Sequence, residues 1–185
     1  TGGILASHAA RVYSGWSAAA GVYGGAIAVT EPETGMTRMV ENPLGRQGIT
    51  GLAADEQYLF AGTTLTGEDL PVKQDEFPQF AVLGLDTLQP YWNHSFEGAV
   101  TVDRLLYNPS VDKVAMAVDD VLRVFSVNDM RMLPSFEQKP PTITSAGLAE
   151  RNDACVYYGH QNRIVRTHLE TGAWEQVLEM PAEVG

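Results

Sequence analysis

A long acidic stretch at residues 63–79 contains the side chains best suited to ligand chemistry. It exceeds the length of about 12–15 residues above which loops in compact domains are uncommon and are often functional or disordered. Its charged residues are four carboxylates and one amine: Glu68, Asp69, Asp75, Glu76 and Lys73. Carboxylates at this density could hold a cation or a polyhydroxylated ligand. Their spacing does not match an EF-hand loop, and a solvated acidic loop is the simpler alternative.

Two further groups are expected beside this insert. Arg46 and Gln47 lie in a short link flanked by glycines, residues 45–48, where an arginine offers a rigid fork for a carboxylate or sulfate. Trp16 and Tyr23 flank a stretch rich in alanine and glycine. Their rings could stack on the apolar face of a sugar or pack under their own loop. Both interpretations stay open for Trp16, and packing is favoured for Tyr23.

Histidine and cysteine chemistry has little local support. The chain has four histidines: His8, His94, His160 and His168. None forms an H-x-H or H-E-x-x-H pattern, so neither a metal site nor a cofactor is expected. His160 is the best placed for chemistry, in a loop on the expected ligand face, although a two-residue hairpin tip explains it equally well. Cys155 falls within a strand-like run and is expected to be a buried thiol.

The sequence contains no recognisable catalytic motif. The stretch from Gly15 to Ala19 lacks the second glycine of a nucleophile elbow. Residues 21–25 are rich in glycine but lack the Lys-Ser or Lys-Thr of a phosphate-binding loop. These absences favour a binding domain over an enzyme.

The elements that must position these residues form an internal repeat. Three apolar runs, each followed by a turn signal, are centred on Leu83, Val124 and Val165 and are equally spaced along the chain. Their period of about 40 residues lies in the range of known repeat architectures. A fourth run, residues 25–31, lies further upstream. Each is preceded by a partner run, and three of those four partner runs end in glycine. The runs are short, β-branched or aromatic, and bounded by turn residues, so they predict strands.

The repeat predicts an all-β fold, a β-propeller of about four blades with four antiparallel strands each. A blade of this kind takes about 40–50 residues. The predicted single domain divides into blades at about residues 4–42, 43–95, 96–136 and 137–181, and blade one has a weak or missing innermost strand. Connections between the second and third strands are expected to be long in the first two blades and short in the last two. The alternative is a β-sandwich with coincidental spacing.

Blades one and two resemble the quinoprotein-like and YVTN-like propeller repeats of bacterial proteins, within the broader WD40-like superfamily. In blade two the resemblance rests on residues 59–62 and 81–86. In blade one it rests on residues 12–15 and 26–29, followed by Glu-Pro-Glu-Thr-Gly at residues 31–35. It covers most of the chain and implies the fold without implying a particular chemistry. The Trp-Asp signature of WD40 blades is absent. The resemblance places the long loops and the links between blades on one ligand-binding face.

Composition restricts the partners. The 185 residues carry 12 Lys and Arg against 23 Asp and Glu, a net charge of −11. Such a surface repels phosphate groups, so nucleic acid is not an expected partner, whereas proteins and neutral carbohydrates are suitable ligands. Membrane insertion is not expected either, because no apolar run approaches the roughly 18 residues of a membrane span. Four blades are fewer than the usual six to eight, so we expect self-association or further blades of the same chain. The compartment stays open, with export from a bacterium as one alternative.

The sequence therefore predicts a non-catalytic domain of a larger bacterial protein that binds a ligand or a protein. The predicted ligand-binding residues are Trp16, Arg46, Gln47, Asp69, Asp75, Glu76 and His160. The alternative is part of a propeller enzyme acting on polysaccharide, a lyase or hydrolase whose catalytic residues lie partly outside this chain.

Overall fold

The computed structural model describes residues 4–8 and 10–179, in which all regular secondary structure is β-structure. The strands of the first sheet are β1 (Ile4–His8), β2 (Arg11–Ser17), β3 (Gly25–Glu31) and β4 (Met36–Glu41). The second sheet contains β5 (Gly48–Ala54), β6 (Tyr58–Thr64), β7 (Gln79–Gly84) and β8 (Pro90–Ser95). The third contains β9 (Val102–Asn108), β10 (Lys113–Val118), β11 (Val121–Ser126) and β12 (Arg131–Met132). The fourth contains β13 (Cys155–His160), β14 (Arg163–His168) and β15 (Trp174–Glu179).

Every sheet is an antiparallel meander whose strands follow one another in chain order. The three equally spaced runs form β7, β11 and β14, and their partner runs form β6, β10 and β13. The all-β prediction with repeated four-stranded units is thus confirmed, with three strands in the fourth sheet. The chain divides into two compact units after Leu105, called unit 1 and unit 2 below. The single domain and its blade ranges stay a prediction.

The innermost strands of two sheets differ from expectation. The prediction that the first sheet lacks a strong inner strand is wrong, because β1 pairs with β2 over its whole length. In the fourth sheet, the segment before β13 is irregular. Ala149 and Tyr157 exchange backbone hydrogen bonds of 2.9 and 2.8 Å, and the Thr144 N–H donates to the Gly159 carbonyl at 2.8 Å. These bonds satisfy much of the inner edge of β13 without a regular strand.

The core of unit 1 fills the space between the first and second sheets. Tyr13, Ile27, Leu59 and Leu83 are among its buried members. Strands β2 and β5 approach closely because Gly15 has no side chain, and a Cβ atom there would lie 2.6 Å from Cγ2 of Ile49. Each fully buried aliphatic or aromatic side chain stabilises the fold by about 1.5–3 kcal/mol relative to exposure.

Unit 2 has its own core of the same kind. It joins the third and fourth sheets through residues that include Val124, Ile143, Val156 and Val165. Tyr158 lies among them, and its hydroxyl is 3.1 Å from both the Pro141 carbonyl and the Thr167 hydroxyl. Burial raises the pKa of Tyr158. The hydroxyl of this buried tyrosine therefore has hydrogen-bonding partners, as buried tyrosines usually do.

Charged side chains connect the two sheets of unit 1 at the end of the strands opposite to the long loops. The Arg11 guanidinium pairs with the carboxylate of Asp86, in the turn after β7. Arg38 donates to the main-chain carbonyl of Asp86 at 2.6 Å. Exposed ion pairs contribute at most about 1 kcal/mol each, so these bonds orient the sheets more than they stabilise them.

Candidate functional site

The two long connections of unit 1 lie against each other. One joins β2 to β3 and the other, the insert, joins β6 to β7. We call residues 18–24 and 65–78 together the long-loop surface. The Gly21 N–H donates to the Glu68 carbonyl at 2.9 Å, and the Tyr23 hydroxyl donates to the Pro71 carbonyl at 2.6 Å. The Lys73 ammonium lies 5.0 Å from the centre of the Tyr23 ring. The insert is thus fixed to the first sheet.

Gln47 anchors the base of the insert. Its side chain is 3% exposed. The amide nitrogen donates to the Glu76 carboxylate at 3.1 Å and to the Phe77 carbonyl at 3.0 Å. Its amide oxygen accepts a hydrogen bond from the Thr63 hydroxyl, which in turn accepts one from the Gln79 N–H. The residue lies beside the insert as expected, and in this state its polar atoms are all used within the protein.

Glu76 is the electrostatic centre of this region. Lys73 donates to its carboxylate at 2.7 Å. This hydrogen bond and the one from Gln47 lower the pKa of Glu76, and the positive charges of Lys73 and Arg46 act in the same direction. Arg46 itself is exposed and has no hydrogen bond or ion pair of its own among the described residues. Of the two cations, Arg46 is therefore the one open to an external ligand.

A pocket of about 250 Å³ lies at the end of the first sheet, where residues 18–24 of the long-loop surface form part of its wall. We call it the Trp16 pocket and define it by Trp16, Val22, Tyr23, Met39, Glu41 and Asn42. Trp16 is 42% exposed, and its indole N–H donates to the Ser14 hydroxyl at 3.0 Å. Trp16 is therefore not packed under its own loop, and its indole ring presents an open aromatic surface.

Strand register explains the depression. Trp16 pairs with Ala26, and Ala26 pairs with Glu41, so the three side chains form a row across β2, β3 and β4. Paired residues project from the same face of a sheet, and this face points away from the core of unit 1. The small Ala26 leaves a gap between the indole and the carboxylate. Met39 lies one row further along the same face.

The remaining predicted site residues lie apart from this centre. Asp69 occupies a turn with a positive φ of 60°, and both Asp69 and Asp75 are exposed, with no side-chain partner among the described residues. His160 belongs to unit 2, where its Nδ1 lies 2.8 Å from the Thr142 carbonyl. Because a carbonyl only accepts, Nδ1 carries the proton, and Nε2 is left as the acceptor in neutral His160. That these residues contact a ligand stays a prediction.

Sequence reasoning missed a polar cluster on the fourth sheet. Arg166 donates to Glu175 at 2.8 Å and to Asp153 at 3.2 Å. Burial opposes ionisation of Asp153, but hydrogen bonds from Tyr157 and from the Cys155 N–H, together with Arg166, lower its pKa. Cys155 is buried as expected, and burial raises the pKa of its thiol. The cluster links residues across three strands, so only the pairing register could have indicated it.

The described part of the chain offers no concentration of metal ligands. No group of three or more His, Cys, Asp or Glu able to hold a metal ion occurs in residues 4–8 and 10–179. Within the same residues, no helix has the length and apolar character needed to cross a membrane. The chemical resources of the site are thus an aromatic pocket, an exposed arginine and several carboxylates.

Comparison with solved structures defines the fold class. The chain is similar to the WD40 domain of Pan2 from Neurospora crassa, with a TM-score of 0.64 and 12% sequence identity. The match covers 96% of this chain and 53% of that chain, so the sequence spans about half the length of this neighbour. No protein-family model matches the sequence, and no curated protein matches it.

The chain therefore has the fold of a WD40-like β-propeller. This confirms the WD40-like part of the resemblance, although the sequence contains no Trp-Asp dipeptide. Identity of 12% supports the fold alone, since one propeller fold serves many unrelated functions. The quinoprotein-like family and a bacterial source stay predictions.

Proposed function

We propose that this chain is a non-catalytic propeller module that binds a protein partner through the Trp16 pocket and the adjoining long-loop surface. The observation that carries the proposal is the exposed indole of Trp16 beside a formed pocket. Tryptophan is enriched among the residues that dominate binding energy at protein interfaces. Loops held by a rigid sheet are also where binding residues concentrate.

The insert supports this function because it is already ordered. Its hydrogen bonds to Tyr23, Gly21 and Gln47 fix it without a ligand. A preformed surface loses less conformational entropy when a partner binds. Arg46, Asp69 and Asp75 add exposed charges that could select among partners. Self-association, further blades and the polysaccharide-enzyme alternative are not part of this proposal and stay predictions.

A neutral carbohydrate is the second candidate ligand. The observation that favours it is the same open indole face, which could stack on the apolar C–H face of a sugar ring. Methyl glycosides of several hexoses, titrated while the Trp16 resonance is followed, test this candidate directly. A saturable shift would support the carbohydrate.

The proposed function is tested by selecting binders from a random dodecapeptide library displayed on phage. Selected peptides should bind the native chain and lose most of their affinity for Trp16→Ala. They should also lose affinity when residues 65–78 are replaced by a short Gly-containing turn. Trp174→Ala is the matched control, because Trp174 is similarly exposed at 39% but lies on β15 of unit 2. Peptides that bind all four proteins equally would refute the proposal.

A further inference from the structure

The Trp16 pocket combines an aromatic wall, an apolar wall and a carboxylate. Trp16 supplies an open indole, Val22 and Met39 supply exposed aliphatic surface, and Glu41 supplies the charge. At about 250 Å³, the pocket is smaller than the roughly 300–1,000 Å³ that is typical for drug-sized ligands. It is therefore sized for one side chain.

The charge around this pocket is unbalanced. The Glu41 carboxylate is exposed and has no ion-pair partner among the described residues, and none of the residues lining the pocket is a cation. Glu68 and Asp69 lie nearby, since the Glu68 carbonyl accepts a hydrogen bond from Gly21, next to Val22. The amine of the long-loop surface, Lys73, is paired with Glu76. Arg46, in the link that follows Asn42, is exposed and does not line the pocket. A cation that enters the pocket would therefore be attracted by the Glu41 carboxylate.

The same surface already shows a related interaction. The Lys73 ammonium lies over the Tyr23 ring at 5.0 Å, within the roughly 6 Å at which cation–π attraction is significant. Tryptophan is a better partner than tyrosine for such contacts. Lysine and arginine also have long aliphatic stems that pack on apolar surface while the charged end stays in water.

We propose that the Trp16 pocket receives a lysine or arginine side chain from a basic segment of a protein partner. This inference rests on the proposed function and names the chemistry of the partner. The stem would pack on Val22 and Met39, and the charged end would lie between the Trp16 indole and Glu41. An acidic side chain would be repelled by Glu41, and an apolar one would desolvate that carboxylate without pairing it.

Small probes test the pocket directly. Nα-acetyl-lysine methylamide and Nα-acetyl-arginine methylamide are titrated separately into the native chain, and the indole N–H resonance of Trp16 is followed by NMR. That resonance is identified by its loss in Trp16→Phe. Both cationic probes should produce saturable shifts in the millimolar range. Nα-acetyl-norleucine methylamide, which has an aliphatic side chain without the charge, should not.

A charge variant and a matched control sharpen the test. Glu41→Gln should weaken the two cationic probes by about two- to fivefold, the range expected for loss of one exposed ion pair. Glu33→Gln changes the charge equally but lies in the turn at the other end of β3 and β4, so it should leave binding unchanged. Raising NaCl from about 50 to about 500 mM should weaken the cationic probes through screening.

Three results would overturn the inference, and they show whether the proposed function also fails. Equal shifts with the norleucine probe, or no shift with any probe, would show that the pocket does not select a cation. If library peptides still depend on Trp16 but carry no excess of lysine or arginine, the inference fails and the proposed function stands. If sedimentation shows a dimer that Trp16→Ala dissociates, a second copy covers the pocket and the inference fails.

Discussion

The two units differ in the length of the connection between the second and third strands of each sheet. In unit 1 the central strands are joined by the long segments 18–24 and 65–78, whereas in unit 2 the short segments 119–120 and 161–162 suffice. The long loops are held by backbone hydrogen bonds, such as that from Gly21 to Glu68, and by side-chain contacts, of which the Gln47 amide makes several. The short turns adopt positive φ angles of 45° at Asp119, 67° at Asp120 and 53° at Gln161.

This difference suggests that the long loops of unit 1 can change in sequence without destabilising the sheets that carry them. Extending a tight turn to the length of the insert costs roughly 2 kcal/mol of closure entropy by length scaling, which a few good hydrogen bonds offset. A loop held by its own contacts can be ordered without altering the sheet beneath it. The first sheet and the insert of unit 1 therefore offer a surface whose sequence can vary. Unit 2 has only the short connections of the basic repeat.

The largest expected effect comes from Gln47→Ala. It removes the donor to the Glu76 carboxylate and the Phe77 carbonyl, and it removes the acceptor of the buried Thr63 hydroxyl, which keeps only its bonds with Gln79. We therefore expect a loss of about 2–3 kcal/mol in the free energy of unfolding. Urea denaturation followed by far-UV circular dichroism measures it. Gln74→Ala, in the exposed part of the insert, is the control and should change stability by less than about 0.5 kcal/mol. Similar losses for both variants would contradict the anchoring role.

Next in size is Tyr23→Phe, which removes the hydrogen bond to the Pro71 carbonyl and keeps the ring beneath Lys73. We expect a local destabilisation of about 1 kcal/mol, seen as faster amide exchange in residues 65–78 by mass spectrometry. Exchange in unit 2 should not change. Tyr91→Phe is the control, because Tyr91 is 68% exposed. An unaltered insert in Tyr23→Phe would show that other contacts suffice to hold it.

The tight turns give an effect of the opposite sign. Gln161→Gly should stabilise the chain by about 0.5–1 kcal/mol, because glycine adopts a positive φ without the steric cost paid by other residues. The backbone N–H at this position can still donate to the Thr144 hydroxyl. Gln161→Ala keeps that cost and should give no gain in thermal melting. A gain with alanine would assign the effect to the side chain instead of the backbone.

The smallest effect concerns the pH dependence of the insert. The pKa of Glu76 is lower in the folded state than its ordinary value of 4.5, so its contribution is present above pH 4.5 and is lost as pH falls through the lower folded value. Amide exchange in residues 65–78 should therefore accelerate, relative to Glu76→Gln, as the solution is acidified below pH 4.5. If the two proteins respond identically to acid, the Lys73–Glu76 pair does not hold the insert.

Sequence reasoning predicted the parts of this molecule that a one-dimensional pattern encodes. Strand runs with a constant spacing indicated the sheets, and the lengths between them indicated the contrast between long and short connections. The link at Arg46 and Gln47 was expected beside the insert, and Gln47 indeed contacts Glu76 and Phe77. Apolar alternation and turn residues are local properties, so they are visible before folding.

What the sequence did not show depends on register and burial. The row formed by Trp16, Ala26 and Glu41 exists only because β2, β3 and β4 pair in one alignment, and a slip of one residue would move each side chain to the other face. The burial of Gln47 was equally invisible, since an amide in a Gly-rich link is commonly exposed. The inner strand β1 was missed because this short segment has little β-branched or aromatic character.

The positions of the three tryptophans have an optical consequence. Trp16 and Trp174 are 42% and 39% exposed, Trp92 is partly buried and stacks on His94, and none lies in the buried core of either unit. Indole emission in the native chain should therefore be red-shifted and change little on denaturation. Intrinsic fluorescence is therefore a poor probe of unfolding for this protein, but it is a sensitive local probe of ligand binding at Trp16.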